Sequence, residues 1–521
     1  MKTPRPASLF VVTLMLLLAV SSSAQSSVRS SYNDSAWQAL KDARYDEAER
    51  LYRSAISEAQ QAGIRDLTYA QSLHGLGSLL KDQAKFTEAE PLYLESLALF
   101  QNAEGPDSSN VAILNGSLGS ICLATARYKE ALPYYERARA IYERNPNTKP
   151  GDLAYALDGI ARVYLQQARY AEAEPLFLRS LELYRGDSAT SDSTLSFTYA
   201  ALASLNRAMG RYEAAEQFSR QSLSLREKSL PTGHPDIASG MVSLAAILVS
   251  LGRQDEARAL YERALGLTEK ALGPDHPSVS TILNNLGNMH RRHGRYAEAE
   301  ALLRRANAIR EKTYGADNPN LVLTLGNLAE VFTDQEKFTE AAALLERALA
   351  IRQKNFGPDS QAVADSLADL AWLDLEQARY AEASEKLRRA LATSEKTHGR
   401  DHKFVAGRLR WLAATAFATG NQTECDALLA RELAILRAQK TQGDPTFARK
   451  LEGMAADFAG AGNWTAAKAQ RFIALGMFTE TLGPDAPETK RCLLAIADTY
   501  RRLGRTKLAD FYALRAGLLR D

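Results

Sequence analysis

Apolar positions in this chain recur with a helical period, and the helices themselves recur. In residues 273–315, Val279, Leu283, Leu286 and Met289 fall on one face of a first helix. Pro277 suits its opening turn, where a missing N–H costs nothing, and His293-Gly294 closes it. Tyr296, Ala299, Leu303, Ala306 and Ile309 mark one face of a second helix. That helix opens on Glu298 and Glu300 and ends at Lys312 and Gly315, the charge order a helix dipole favours.

The two-helix unit repeats through nearly the whole chain. The aromatic that opens the second helix, Tyr296, has eleven counterparts, from Tyr45 and Phe86 to Trp464 and Thr506, the first spacing being 41 residues and each of the others 42. Ten residues before this anchor stands an apolar residue, from Leu76 to Ile496, followed each time by Gly or Ala. Three residues after it an alanine recurs, as at Ala89, Ala173 and Ala299. Large beside small at fixed offsets predicts closely packed helix pairs. One pair cannot bury its faces alone, so stacked copies must share a continuous core. The reading is all-α: an α-solenoid of about twelve helix-turn-helix units over residues 36–521, the last three (repeats 10–12) degenerate. Pro91, Pro133 and Pro175 fall in or just beyond the first turn of their second helices.

Composition changes this picture at the N-terminus. Lys2 and Arg5 precede an apolar run from Leu9 to Val20, and Ser22-Ser23-Ala24 offers small residues for cleavage, so residues 1–24 read as a signal peptide. The run is 12 residues, shorter than the roughly 18–20 a membrane span needs. Export follows, to the periplasm or otherwise to the extracellular space, with no membrane span after cleavage and residues 25–35 as a flexible lead-in. No Cys follows the leader, which argues against a lipid anchor. Without Lys2 and Arg5 the basic and acidic residues balance at 62 each, a poor footprint for nucleic acid. Three cysteines do not make a disulfide framework, and Cys122 and Cys425 fall on core positions.

The unit resembles the tetratricopeptide repeat. Its GPDHP, LNNLG and GRYAEAE segments are similar to the 42-residue variety found in kinesin light chains, here in an exported, bacterial-type chain, and the likeness covers roughly residues 30–521. The resemblance implies a right-handed superhelix whose first helices line a concave groove for extended peptides. It also implies a backbone-contacting role for Asn285 (in LNNLG) and Asn327 (in LGNLA). Other repeats hold Gly75, Ser117, Gly159, Ala201, Ser243, Asp369 or Trp411 in that slot, which confines such a site to the middle of the array. The heptad segment that joins light chains to motor heavy chains is absent, so no motor role is expected.

The candidate peptide-binding residues are Asn284, Asn285, Asn288 and Arg292 on the exposed side of one first helix, with Asn327 and Glu330 one repeat on. Asn carries both a donor and an acceptor, as a peptide backbone requires. Trp372 and Trp411 occupy groove-facing slots of consecutive repeats and are candidate anchors. The degenerate register favours their packing into the C-terminal core instead. His290 with His293, and His398 with His402, lack the further ligands of a metal site. No phosphate-binding loop, nucleophile elbow or zinc-protease motif is present. Expected, therefore, is a non-enzymatic, cofactor-free, metal-free scaffold that holds a peptide or protein segment. The alternative is a structural solenoid that self-assembles end to end through its terminal repeats.

Overall fold

The computed structural model describes residues 28–42, 44–438 and 445–518. Among these there are 24 α-helices and no strand. The chain divides into two units, the first reaching to Leu205 and the second beginning at Asn206. The first holds α1 (28–41), α2 (Tyr45–Gln61), α3 (Leu67–Asp82), α4 (Phe86–Glu104), α5 (Ser109–Ala124), α6 (Tyr128–Arg144), α7 (Pro150–Gln166), α8 (Tyr170–Gly186) and most of α9 (Asp192–Ala208). The second continues with α10 (Tyr212–Ser229), α11 (Pro235–Ser250), α12 (Gln254–Leu272), α13 (Pro277–Arg292), α14 (Tyr296–Tyr314), α15 (Val322–Asp334) and α16 (Phe338–Phe356). It ends with α17 (Gln361–Glu376), α18 (Tyr380–His398), α19 (Lys403–Ala418), α20 (Gln422–Ala438), α21 (Thr446–Gly460), α22 (Trp464–Thr481), α23 (Pro487–Arg502) and α24 (Thr506–Gly517). Odd-numbered helices are the first of each pair. Within each unit the partners of a hairpin pack on each other and on the next hairpin, as α7 on α8 and α16 on α17 do.

The repeated slots form the core. The residues ten before each anchor are buried from Leu76 to Ile496, except Met454, which is half-buried. The small residue that follows marks a close approach. A Cβ on Gly119 would sit 3.0 Å from the Tyr135 ring, and one on Gly287 would sit 2.7 Å from Leu303. Pro91, Pro133 and Pro175 are each the sixth residue of their helix, just past the first turn. Cys122, Cys425 and Cys492 are buried free thiols.

Between the helices of a pair, one residue takes the left-handed conformation. Gly294 does so at φ 70°, and the next N–H, of Arg295, bonds back to the His290 carbonyl at 3.0 Å. The same turn is made without glycine at Ala84, Ala126, Ala168, Glu336 and Ala378, with φ of 57° to 59°.

The signal peptide lies outside the described residues. The lead-in at 25–35 is helical from residue 28. Its polar residues, read as flexible from composition, engage α3: Arg29 pairs with Asp66 at 2.7 Å, and Asn33 accepts a hydrogen bond from Ser72 at 2.8 Å.

The C-terminal hairpins pack back on earlier helices of their own unit. On α22, Lys468 lies 3.1 Å from Glu376 of α17, and Gln470 donates to the Arg292 carbonyl of α13 at 3.1 Å. On α23, Tyr500 donates to Glu376 at 3.1 Å. On α24, Arg515 meets Glu432 at 2.7 Å, and Arg410 of α19 reaches the same carboxylate at 2.7 Å. Burial alone would raise the Glu432 carboxyl, but the two guanidiniums hold it below its usual value.

A candidate binding cavity on the first helices

Three first helices of the second unit turn one stripe each toward a common space, and a fourth, α13, adds one residue. On α15 the stripe is Leu323, Asn327, Glu330 and Asp334; on α17 it is Asp365, Asp369 and Trp372; on α19 it is Gly407 and Trp411. These spacings, four then three residues, keep one face of an α-helix in line. Arg291 closes the α13 side, and Lys468 and Phe472 of α22 form the opposite wall. The cavity is open on one side and has a volume of about 720 Å³, in the range of small-molecule pockets.

Four of the eight candidates, Asn327, Glu330, Trp372 and Trp411, line this cavity. Asn285, Asn288 and Arg292 are half-buried and stand outside its lining. Asn284 is corrected: it is buried at 5% exposure, not exposed, and its Oδ1 accepts a hydrogen bond from Asn327 Nδ2 at 2.7 Å. One residue along a helix is a rotation of about 100°, which carries Asn284 off the open stripe toward α15. There it positions Asn327. The Arg292 guanidinium has its pKa lowered by burial and then by Arg291 beside it.

Trp372 and Trp411 combine the two roles open to them. Their rings are 4.4 Å apart, and Phe472 packs on both at 5.5 and 6.0 Å. Both stay half-buried, with part of each ring on the cavity.

The charged groups are arranged unevenly. Arg291 bridges Glu330 at 2.7 Å and Asp334 at 2.8 Å; Arg408 pairs with Asp365; Arg352 donates to Ser366 Oγ at 2.8 Å and lies 3.9 Å from Asp369. The cations are sunk in the wall: the side chains of Arg291, Arg408, Arg352 and Lys468 are 13%, 12%, 22% and 9% exposed. The carboxylates of Glu330, Asp369 and Asp365 stay open, at 56%, 58% and 44%. Asp369 sits in the concave wall, where water reaches the carboxylate although many protein atoms lie near it. That partial desolvation, opposed by Arg352 and reinforced by Glu330 and Asp365, pushes its carboxyl up to about 6.

Sequence reasoning missed Lys468, Gln470 and Phe472, because the repeat register specifies neighbours and not a return of the chain. A signal existed. A second helix should keep one solvated face, yet α22 carries few charges and alternates Ala, Phe, Ile and Leu around its circumference. Helices apolar all round are buried.

Among the described residues no group of three or more His, Cys, Asp or Glu could hold a metal ion, and no helix is long and apolar enough to cross a membrane. The tetratricopeptide repeat profile matches residues 68–144, 152–228, 236–312, 285–354 and 320–396, more than half of the chain. The chain belongs to the tetratricopeptide repeat family. Within it the likeness is to kinesin light chain-type repeats. A putative kinesin light chain of Podosopora anserina with nearly identical TPR-like repeats is 26% identical, over 40% of this chain and 98% of that one, with a TM-score of 0.36. BtubC (BKLC) from P. vanneervenii is 24% identical over 45% of this chain and 91% of that one, with a TM-score of 0.38. The apo form of the quorum sensor NprR from B. thuringiensis is 14% identical over 69% of this chain and 99% of that one, with a TM-score of 0.50, a likeness of fold. No curated protein matches the sequence.

Proposed function

We propose that this protein is an exported scaffold that holds a peptide or protein segment against the first helices α13 to α19, and that it acts by binding, not catalysis. The observation that carries the reading is the 720 Å³ cavity, which combines a tryptophan pair with open carboxylates and Asn327 on a repeat scaffold. Aromatic anchors supply most of the energy in such contacts. The amide of Asn327, held by Asn284, is placed to pair with a peptide backbone. Export rests on the leader at residues 1–24, with the periplasm as the destination. Mature protein with an N-terminus near Gln25 in the periplasmic fraction is the expected result of fractionation and N-terminal sequencing.

Filling the cavity tests the site. Gly326 and Gly407 are helical, and a Cβ at either would meet nothing within 4 Å, so larger residues fit without disturbing the fold. Peptides selected on the mature protein from a random display library should bind the doubly substituted Gly326→Leu, Gly407→Leu protein at least about tenfold more weakly, some 1.4 kcal/mol. Equal affinity with an unchanged melting temperature removes the cavity as the site. End-to-end assembly has less support, because Phe511 and Tyr512 of the last helix are wholly buried inside the second unit.

A further inference from the structure

The second unit already seats one helix of its own in this groove, and that helix indicates what the walls accept. α22 presents Lys468 and Phe472, one helical turn apart. The ammonium lies 3.1 Å from Glu376 and over two aromatic rings, 5.9 Å from Trp372 and 5.7 Å from Tyr500. The phenyl ring four residues on packs against Trp372 and Trp411. A basic side chain on a carboxylate and an aromatic one on the tryptophans is the pairing found there.

The open part of the cavity repeats these elements. Asp369, Glu330 and Asp365 take the place of Glu376, and the exposed Phe404 ring (43%) joins the tryptophans. The accessible charge is therefore negative, although cations and carboxylates in the lining are equal in number. An acidic ligand would meet the three open carboxylates before any guanidinium. A basic one would relieve the repulsion among them and rest on an aromatic face, whose ring quadrupole attracts a cation.

We infer that the open part of the cavity takes a lysine or arginine side chain, next to a bulky apolar one, from a peptide segment of another protein. This rests on the reading of the cavity as a peptide site and specifies the partner's chemistry.

The test uses random dodecapeptides displayed on phage and the mature full-length protein. Selection is run in parallel on wild type, on the Asp369→Asn, Glu330→Gln double variant, and on the cavity-filled Gly326→Leu, Gly407→Leu protein. Both carboxylates are open to the cavity and Arg291 keeps Asp334 when Glu330 is neutralised, so the first variant should stay folded and melt close to wild type, apart from the small gain that Asp369→Asn brings above pH 6. Lys or Arg should be enriched at least about tenfold over Asp and Glu beside an aromatic or aliphatic residue on wild type, and under threefold on the neutralised variant. Enrichment of acidic residues, or basic enrichment that survives neutralisation, overturns the inference and leaves the peptide site standing. Identical peptide sets on wild type and the filled protein overturn both.

Discussion

One slot of the repeat, eleven residues before the second-helix anchor, distinguishes the first unit from the middle repeats of the second. In the first unit it holds Gly75, Ser117, Gly159 and Ala201; in the second it holds Ser243, then Asn285, Asn327, Asp369 and Trp411 in the middle repeats, and Gly453 and Ala495 at the end. The partner position, on the preceding second helix, changes in the opposite sense. Tyr52 and Tyr135 face the glycines: a Cβ on Gly75 would lie 2.4 Å from the Tyr52 ring and one on Gly159 2.3 Å from that of Tyr135. In the register position of those tyrosines, the second helices that precede Asn327, Asp369 and Trp411 carry Leu303, Leu345 and Leu387. Bulk is therefore exchanged between helices. In the first unit a ring from behind fills the slot. In the second, from Leu303 to Leu387, a shorter leucine takes that register position, and the slot on the first helix carries a polar or aromatic group. The leucines begin at Leu303, and the slot first joins the cavity lining at Asn327, one repeat on.

Among the described residues, the largest effect should come from the second unit's return of α24 onto α19 and α20. Glu432→Ala leaves Arg515, 1% exposed, and Arg410 without their shared carboxylate. Breaking such a buried pair typically costs about 3–5 kcal/mol. Hydrogen exchange should report the loss in α19 to α24 and not in α3 to α8. Uniform deprotection would show that the return does not set the second unit apart.

The exchange of bulk predicts a smaller, local effect. Gly159→Ala should cost about 1–3 kcal/mol through contact with Tyr135, as overpacked sites do. In a Tyr135→Leu background, which imitates the second unit, most of that penalty should vanish. A urea-melt double-mutant cycle measures the coupling, and strict additivity would break the comparison.

The smallest effect concerns acid. Asp369 is faced by Arg352 of α16, Glu330 of α15, Arg408 of α19 and Lys468 of α22, with Asp365 on its own helix. Its carboxyl titrates near 6 in the fold, against about 3.9 in an unfolded chain. The folded protein therefore binds the extra proton, and the stability this confers, full below pH 4, is lost as pH rises to about 6. Asp369→Asn should match wild type at pH 4 and exceed it above pH 6 by about 0.5 kcal/mol after allowing for solvent screening. Melting temperatures across pH check the sign.

The scaffold was legible because each core position recurs at one offset for one local reason, as Gly119 and Gly287 do. The site was legible only where its residues share the register: Asn327, Glu330, Trp372 and Trp411 come from repeated slots. Asn284 was misplaced because two adjacent asparagines cannot face the same way on a helix, and composition does not say which one turns inward. Lys468 and Gln470 were out of reach. They meet partners 92 and 178 residues away, and a period of 42 residues carries no information about such returns.

The left-handed turns hold a reserve. Five of them are made by Ala or Glu where glycine would be relaxed, at Ala84, Ala126, Ala168, Glu336 and Ala378. A β-carbon in that conformation carries about 1–2 kcal/mol of strain, part of which glycine's freer unfolded chain would cancel. Each joint can therefore be loosened or tightened by one codon without touching a core or groove residue. Durability and recognition can drift independently in this lineage, because mutation acts on them at separate addresses.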